Sequence, residues 1–579
     1  MNAKDLILNA KLSIEEAHQI LEKYGFQDLD RANRNLQNLA GTPALRHEFA
    51  EIVEKLLESI ADSPDPDAAL NNFDRFTAVT FSRMWLYHLL RDAPFIMRIL
   101  ATCFGSSTYL SDVLVRNPEY FNEIIDRSVM EMPKNREMMY DELSRSVRLS
   151  RSAEQKLNAL RRYKRKESLR IGLRDFFGDA DLETTTLELS NLAEVTLQLC
   201  YEIGIAELTP KLGTLQAGDE NTPATFAVIA MGKFGGYELN FSSDIDVMFV
   251  YSHEGKTDKG VENSQYFAKL CEFIIKGMSE ITSGGYVFRV DIRLRPESSV
   301  GTIVRSIDSY EAYYEGWGEI WERQALIKAR PVTGDAKLGK QFIQMIQPFV
   351  YQRYLDEFSI AEIKADIRQT KARIEQRIIN EKGDLNTHVK LGIGSIRDIE
   401  FAIQCRQLIH GGPIPALRNR NSLETIELLY QHGLLSQTDR DIFSEAYRFL
   451  RMVEHRIQME TDQQQYTLPA KEADLIKFAK RAGYRDTKSQ SALEAFQKDY
   501  RRHTSAVRSI FETILATPVV KGEIDIISLF TTKDSHIIKE ILTPFGFENP
   551  REAHRYLKLM AEGPEGVRFS PGVRRSFVE

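Results

Sequence analysis

Cysteine is scarce and scattered in this sequence: Cys103, Cys200, Cys271 and Cys405 are the only four in 579 residues, and no two form a CxxC pair. Such spacing argues against a disulfide framework and against a thiolate zinc site, and makes four buried thiols in a reducing compartment the expectation. Long apolar runs are missing too. The stretch from Met1 to Ala10 carries Lys4 and Asp5 without an extended apolar core, and nothing later approaches the roughly eighteen residues a membrane span needs. A soluble, cytoplasmic protein with no membrane partner is expected. Positive charge is not in excess either: 76 Lys and Arg against 83 Asp and Glu give a net charge of −7. With no aromatic-basic patches, a nucleic-acid partner is disfavoured. There is no GxxxxGK[ST], which argues against a P-loop enzyme, and no internal repeat or low-complexity tract is evident.

What is present is helix, interrupted once. The chain is several times the usual domain size, so at least three packed units are expected. Ser13 with Glu16 three residues on forms a capping-box pattern, and Gly25 closes that helix. Phe49, Ile52, Val53, Leu56, Leu57 and Ile60 recur at three- and four-residue steps as one apolar stripe, which Ser63-Pro64-Asp65-Pro66-Asp67 then breaks. Residues 1–184 read as an all-helical domain. Within it Arg161, Arg162, Lys164, Arg165 and Lys166 form a basic cluster that reads as a solvated helix face rather than a contact for an acidic partner. Between 185 and 338 the texture changes to strands Phe226–Ala230, Val247–Tyr251 and Tyr286–Leu294. A helix from Ser264 to Ile281 runs between the last two, with Tyr266, Phe267, Leu270, Ile274, Met278 and Ile281 on one face. Residues 339–516 return to helical stripes, including Ile426, Leu428 and Leu429 and Phe449, Leu450 and Val453. Residues 517–579 read as a linker or the opening of a further unit. The expected class is α+β, predominantly helical, with a small mixed sheet in the middle unit.

The chemistry concentrates between Met231 and Val250. Gly235 and Gly236 follow the first strand, where missing side chains allow backbone N–H groups to approach a phosphate. Asp244 and Asp246 come eight and ten residues after Gly236. On a strand, two-residue spacing puts both carboxylates on one face while Ile245 and Val247 enter the core. Two oxygen ligands side by side suit one or two Mg²⁺ ions, with Mn²⁺ as the alternative, and Asp291 on the next strand is the third candidate ligand. Arg293 and Arg295 follow at two-residue steps and are candidates for neutralising phosphoryl charge. Gly-Gly or Asp-x-Asp alone is usually structural; acids flanked by apolar strand residues, beside a glycine turn, point to a metal site.

Gly-Gly, Asp-x-Asp and a later strand Asp together resemble the signature of the nucleotidyltransferase superfold. The longer wording from Gly232 through Asp246 resembles the glutamine synthetase adenylyltransferase family. So do Phe288–Pro296, Trp321–Arg330 and Arg397–Phe401, while Tyr447–Arg456 is similar to that family's second, helical domain. The resemblance covers nearly the whole chain. It implies a nucleotidyltransferase unit at 185–338, preceded by a helical domain and followed by a helical bundle like that of uridylyltransferases. In that family one polypeptide carries two such units, the first removing AMP from a glutamine synthetase tyrosine and the second attaching it. The wording Trp321–Arg330 resembles the first, so this chain is expected to be a deadenylylating half, from a truncated reading frame or a split gene.

The implied reaction is phosphorolysis of tyrosyl-AMP, with inorganic phosphate in and ADP out. Asp244, Asp246 and Asp291 would hold the metal and, with Arg293, form the catalytic set. The resemblance further implies nucleotide contacts from Lys233, Gly235, Gly236, Ser243, Arg295, Arg397 and Glu400, with Asp398 in the same closing loop. A domain-packing salt bridge is the competing reading of that loop. Ser395 stands where the family usually has a second consecutive glycine, which puts phosphate affinity in doubt. Glutamine synthetase is the implied protein partner, and a PII signal protein the implied regulator. The alternatives are adenylylation of the tyrosine from ATP, a docking or PII-sensing module without chemistry, and, disfavoured by charge, an RNA nucleotidyltransferase.

Overall fold

The computed structural model of the chain describes residues 2–216, 222–516, 535–543, 546–547 and 549–562. Its first third is helical, and the local signals act as expected. Glu16 N–H donates to Ser13 Oγ at 3.2 Å and Ser13 N–H to Glu16 Oε2 at 2.9 Å, closing the capping box of helix Ile14–Glu22, and Gly25 follows at φ +80°. All six residues of the Phe49–Ile60 stripe are buried on helix Pro43–Ala61. Asp65, in the segment that ends it, caps the next helix by accepting from Ala68 N–H at 3.1 Å.

The sheet has five short strands: β1 (Phe226–Ala230), β2 (Ile245–Tyr251), β3 (Val290–Asp291), β4 (Arg305–Ser306) and β5 (Arg330–Gly334). The order is β3-β2-β1-β5, with β4 also on β2. β1 lies antiparallel to β2 and to β5, whereas β3 and β4 run parallel to β2, so the sheet is mixed. Its apolar strands are buried on both faces, which is why β1 and β2 read as continuous apolar runs rather than alternating ones. Phe226, Val228 and Ala230 join the core of the N-terminal helices, and Ala227 and Ile229 join the core of the C-terminal helices. One sheet is therefore shared by two helical masses.

Three expectations need correction. The third strand is not Tyr286–Leu294 but two residues long, because the Asp291 side chain accepts from Arg293 N–H at 2.8 Å and turns the chain at once. The preceding helix is Asn263–Ser279, so Ile281 falls beyond its end and is exposed, while the other five residues of that stripe are buried. The basic cluster is a solvated face only in part, with Arg162 exposed. Helix Ala153–Phe177 is hemmed in by helices Arg136–Leu149 and Leu182–Leu212, so Arg161 and Lys164 are buried, with Lys164 Nζ 3.8 Å from Asp462. The Lys164 charge survives there because it is paired.

The second half is a helical bundle containing Glu357–Asn380, Ile396–His410, Gln437–Thr461 and Ala492–Leu515. Residues 517–534 of the expected linker lie outside the described residues; helices Ser535–Leu542 and Pro550–Glu562 pack on each other through Ile538, Leu542, Ala553 and Leu557. All four cysteines are free and buried. Among the described residues no helix is long and apolar enough to cross a membrane.

Candidate functional site

Parallel pairing of β2 with β3 sets Asp246 opposite Asp291, with Asp244 just before β2. Ile245 and Val247 are buried in the core, so the acids take the other face as strand alternation requires. Burial raises the Asp246 carboxyl to about 7, and the charges of Asp291 and Asp244 push the same way against Lys390 and Arg397. The two neighbours are relieved by arginines. Arg289 Nε donates to Asp244 Oδ1 at 2.6 Å, and Arg293 spans Asp291 with Nε to both carboxylate oxygens at 3.0 and 2.9 Å. Burial works to raise Asp291, but the Arg293 bonds and charge hold it below the usual carboxylate range.

The loop between β1 and β2 is gripped from the bundle. Helix Gln437–Thr461 presents Tyr447, Arg451, Glu454 and Gln458 along one face, at steps of four, three and four. Arg451 donates to Glu238 O and to Asn240 Oδ1, both at 2.5 Å. Gln458 Oε1 accepts from Ser242 N–H at 3.3 Å, and Lys233 Nζ reaches both oxygens of Glu454 at 2.7 Å. Burial works to raise the Glu454 carboxyl, but Lys233 and Arg451 overcome it and hold it at about 2. A second buried pair, Lys328 with Glu238, ties the same loop to the turn before β5.

A cavity of about 710 Å³ opens over the acids, a size that suits a nucleotide. Of the residues singled out from sequence, Lys233, Ser243, Asp244, Asp246, Asp291, Arg293, Arg397 and Glu400 line it. Three do not. Arg295 is buried and bonds the carbonyls of Ile292 at 2.6 Å, Gly301 at 3.0 Å and Thr302 at 3.1 Å, bracing its own loop. A Cβ on Gly235 would come 1.8 Å from Lys328 O, and one on Gly236 2.7 Å from Glu238 Oε2 and 2.9 Å from Arg420 O, so the close approach these glycines permit is to the protein itself. Gly232 is the glycine at the cavity: its φ is +52°, and a Cβ there would sit 2.6 Å from Asp246 Oδ2.

The Arg397 loop divides. Arg397 and Glu400 face the cavity, whereas Asp398 is buried and packs the bundle, 2.5 Å from Lys371 Nζ and accepting from Gly394 N–H at 2.8 Å. Ser395 is buried, and its Oγ has no hydrogen bond among the described residues. It is absent from the cavity wall. Burial works to raise Glu400, but Lys328 and Arg397 lead the cations that hold it at about 2.

Sequence reading missed Lys390, Lys328, Trp321, Gln324 and Tyr466, which also line the cavity. Lys390 Nζ lies 4.5 Å over the Tyr466 ring. Trp321, Gln324 and Lys328 stood inside a wording already singled out, and their steps of three and four were the available signal; Lys390 and Tyr466 lie on separate loops and had none.

The donor set suits a divalent cation: oxygen ligands, one of them half-buried and opposed by two like charges. In the arrangement described, Asp244 and Asp291 turn to guanidinium groups, and among the described residues no three acids converge as a ligand cluster. Seating a cation therefore requires exchange of the Arg289 and Arg293 pairs.

Residues 97–345 match the family described as glutamate-ammonia ligase adenylyltransferase, and residues 361–515 match GlnD PII-uridylyltransferase. The chain is similar to proteins called bifunctional glutamine synthetase adenylyltransferase/adenylyl-removing enzyme. That of Streptomyces avermitilis is 31% identical over 94% of this chain and 51% of its own length, and that of Streptomyces coelicolor 32% identical over 94% and 52%. That of Nitrosococcus oceani is 38% identical over 62% of this chain and 36% of its own length. The chain spans about half the length of the curated relatives it matches across nearly all of itself.

Proposed function

We propose that this chain, which belongs to the glutamine synthetase adenylyltransferase family, removes AMP from adenylylated glutamine synthetase by phosphorolysis. The observation that carries the reading is the register pair Asp246 and Asp291, with Asp244 beside them, under a nucleotide-sized cavity ringed by Lys390, Arg397, Lys328 and Arg293. Carboxylates at the floor and cations on the walls suit a phosphoryl group in transfer. The direction rests on the wording Trp321–Arg330, four of whose residues line the cavity.

A phosphate oxygen attacks the AMP phosphorus, the bond from phosphorus to the tyrosyl oxygen breaks, and the phenolate leaves to take a proton from water. No side-chain nucleophile is needed. Asp244, Asp246 and Asp291 would hold Mg²⁺, which supplies charge neutralisation at the phosphoryl oxygens and the leaving oxygen. Arg293 is exposed at the cavity and, among the described residues, bonded only at Asp291, so it is placed to turn to the incoming phosphate. Lys390 and Arg397 bind the nucleotide's phosphates, and the Lys233–Glu454 pair fixes the loop that carries Gly232 and Ser243. The protein partner is glutamine synthetase, a PII protein is the proposed regulator, and the compartment is the cytoplasm.

The deciding experiment incubates the chain with adenylylated glutamine synthetase plus phosphate, and separately with unmodified enzyme plus ATP. ADP release in the first arm is the expected result. AMP incorporation in the second arm alone reverses the direction, and no turnover in either, with binding retained, leaves a docking module.

A further inference from the structure

We propose that the cavity between helices Ala153–Phe177 and Asn263–Ser279 is a binding site for a small oxyanion, a carboxylate or phosphate group, separate from the acid cluster. The cavity is about 500 Å³ and is lined by Arg161, Lys276, Glu280 and Ser283 around an apolar floor that includes Leu157 and Phe273. Arg161 is 2% exposed. Its Nη1 donates to Asn158 Oδ1 at 2.8 Å, but Nε and Nη2 make no hydrogen bond among the described residues. Those two nitrogens are the edge of a guanidinium whose N–H bonds run parallel, the edge that takes both oxygens of a carboxylate or phosphate.

Leaving that edge empty in a buried place is costly, and the one acid near it does not fill it. Glu280 Oε2 stands 3.8 Å from Nη2, beyond hydrogen-bond reach, and Oε1 of the same half-exposed carboxylate is 3.8 Å from Lys276 Nζ. Glu280 thus covers the fork without occupying it, and swings out to admit a ligand. Arg165 adds a second guanidinium at the Thr282–Gly285 turn, close to Gly284, and its Nε is also buried without a hydrogen bond among the described residues. Gly277 lets the floor pack closely, since a Cβ there would meet Cys200 Sγ at 2.8 Å and Leu157 at 3.1 Å. The turn at the rim leads through Tyr286, whose hydroxyl accepts from Arg289 Nη1 at 2.8 Å, to the counter-ion of Asp244.

Calorimetric titration of the full chain with sodium phosphate and, separately, with sodium succinate tests this, at an ionic strength held constant with chloride. Arg161→Lys keeps the charge and removes the fork; Glu280→Gln, at a half-exposed position, removes the competing anion. At least one probe is expected to bind, with affinity about tenfold weaker or more in Arg161→Lys and stronger in Glu280→Gln. A variant-sensitive response from phosphate alone identifies a phosphate ligand, and from succinate alone a carboxylate. Phosphate bound at the catalytic cavity is unchanged by either variant and so drops out of the comparison. The proposal is overturned if the wild type binds neither probe, or if either folded variant binds both as the wild type does.

Discussion

Lys233 sets its ammonium 2.7 Å from both carboxylate oxygens of Glu454, joining the loop after β1 to a helix 221 residues further along the chain. Glu454 is fully buried and Lys233 nearly so, so truncating one strands the other's charge in a low dielectric. Glu454→Ala is expected to cost about 3–5 kcal/mol in urea unfolding. Lys233→Ala added to it should cost much less than the sum, because the stranded charge goes too. Strictly additive losses would show that the pair is not coupled.

Asp246→Asn is expected to lower AMP release by about 100-fold or more, given that even partners of metal ligands are worth about 10–100-fold. The fold should persist. Burial and two neighbouring acids oppose the Asp246 charge, so without metal the amide variant melts at the same temperature or higher. Added Mg²⁺ should stabilise only the wild type, by about 2.7 kcal/mol at 100 times its dissociation constant. Equal stabilisation of both proteins would place the ion elsewhere.

The helices and the acids were legible in the sequence because their signals are local. Ser13 and Glu16 are three residues apart, the Phe49–Ile60 stripe lies on one helix, and Asp244 and Asp246 flank one buried strand residue. Failures came where a distant partner decides. Arg161 and Lys164 look solvated until two other helices cover them, and Gly235 looks like a phosphate cradle until the backbone of Lys328 fills the space. Arg295 alternates with Arg293 on paper, but the strand ends at Asp291, and with it the rule that would put them on one face.

Glu322 predicts a pH effect. It accepts from Glu319 N–H at 2.9 Å and from the Tyr313 hydroxyl at 3.2 Å, while its Oε1 is buried without a hydrogen bond. Burial raises its carboxyl from 4.5 to about 7, and Glu319 and Glu297 add to this. The folded state therefore binds the proton more tightly than the unfolded chain. The stability from this group is fully present below pH 4.5 and is lost as pH rises to about 7, with a slope approaching about 1.4 kcal/mol per pH unit. Glu322→Gln should remove that part of the slope in melts across this range. An unchanged difference between variant and wild type from pH 4.5 to 7 would refute the shift.

Arg293→Ala should separate catalysis from stability. The side chain is 72% exposed and its bridge to Asp291 lies at the surface, so unfolding should change by under about 1 kcal/mol. Phosphate-dependent turnover should fall, with Mg²⁺-dependent stabilisation retained. Unimpaired phosphorolysis would remove Arg293 from the catalytic set.

Gly232 and Gly178 form a natural pair for testing what the cavity glycine does. Both are at positive φ, +52° and +75°, so an alanine at either carries the left-handed penalty of about 1–2 kcal/mol. Gly178, at the end of helix Ala153–Phe177, has nothing within 4 Å of a built Cβ, so Gly178→Ala should show that penalty alone and keep full activity. At Gly232 the added carbon lands 2.6 Å from Asp246 Oδ2, with the Asp246 Cγ at 3.4 Å, and the carboxylate must turn away from its place opposite Asp291. Gly232→Ala should therefore lose both Mg²⁺-dependent stabilisation and AMP release, beyond any stability it shares with Gly178→Ala. If the two variants behave alike, Gly232 serves the turn only, and its contact with Asp246 has no part in holding the acid site.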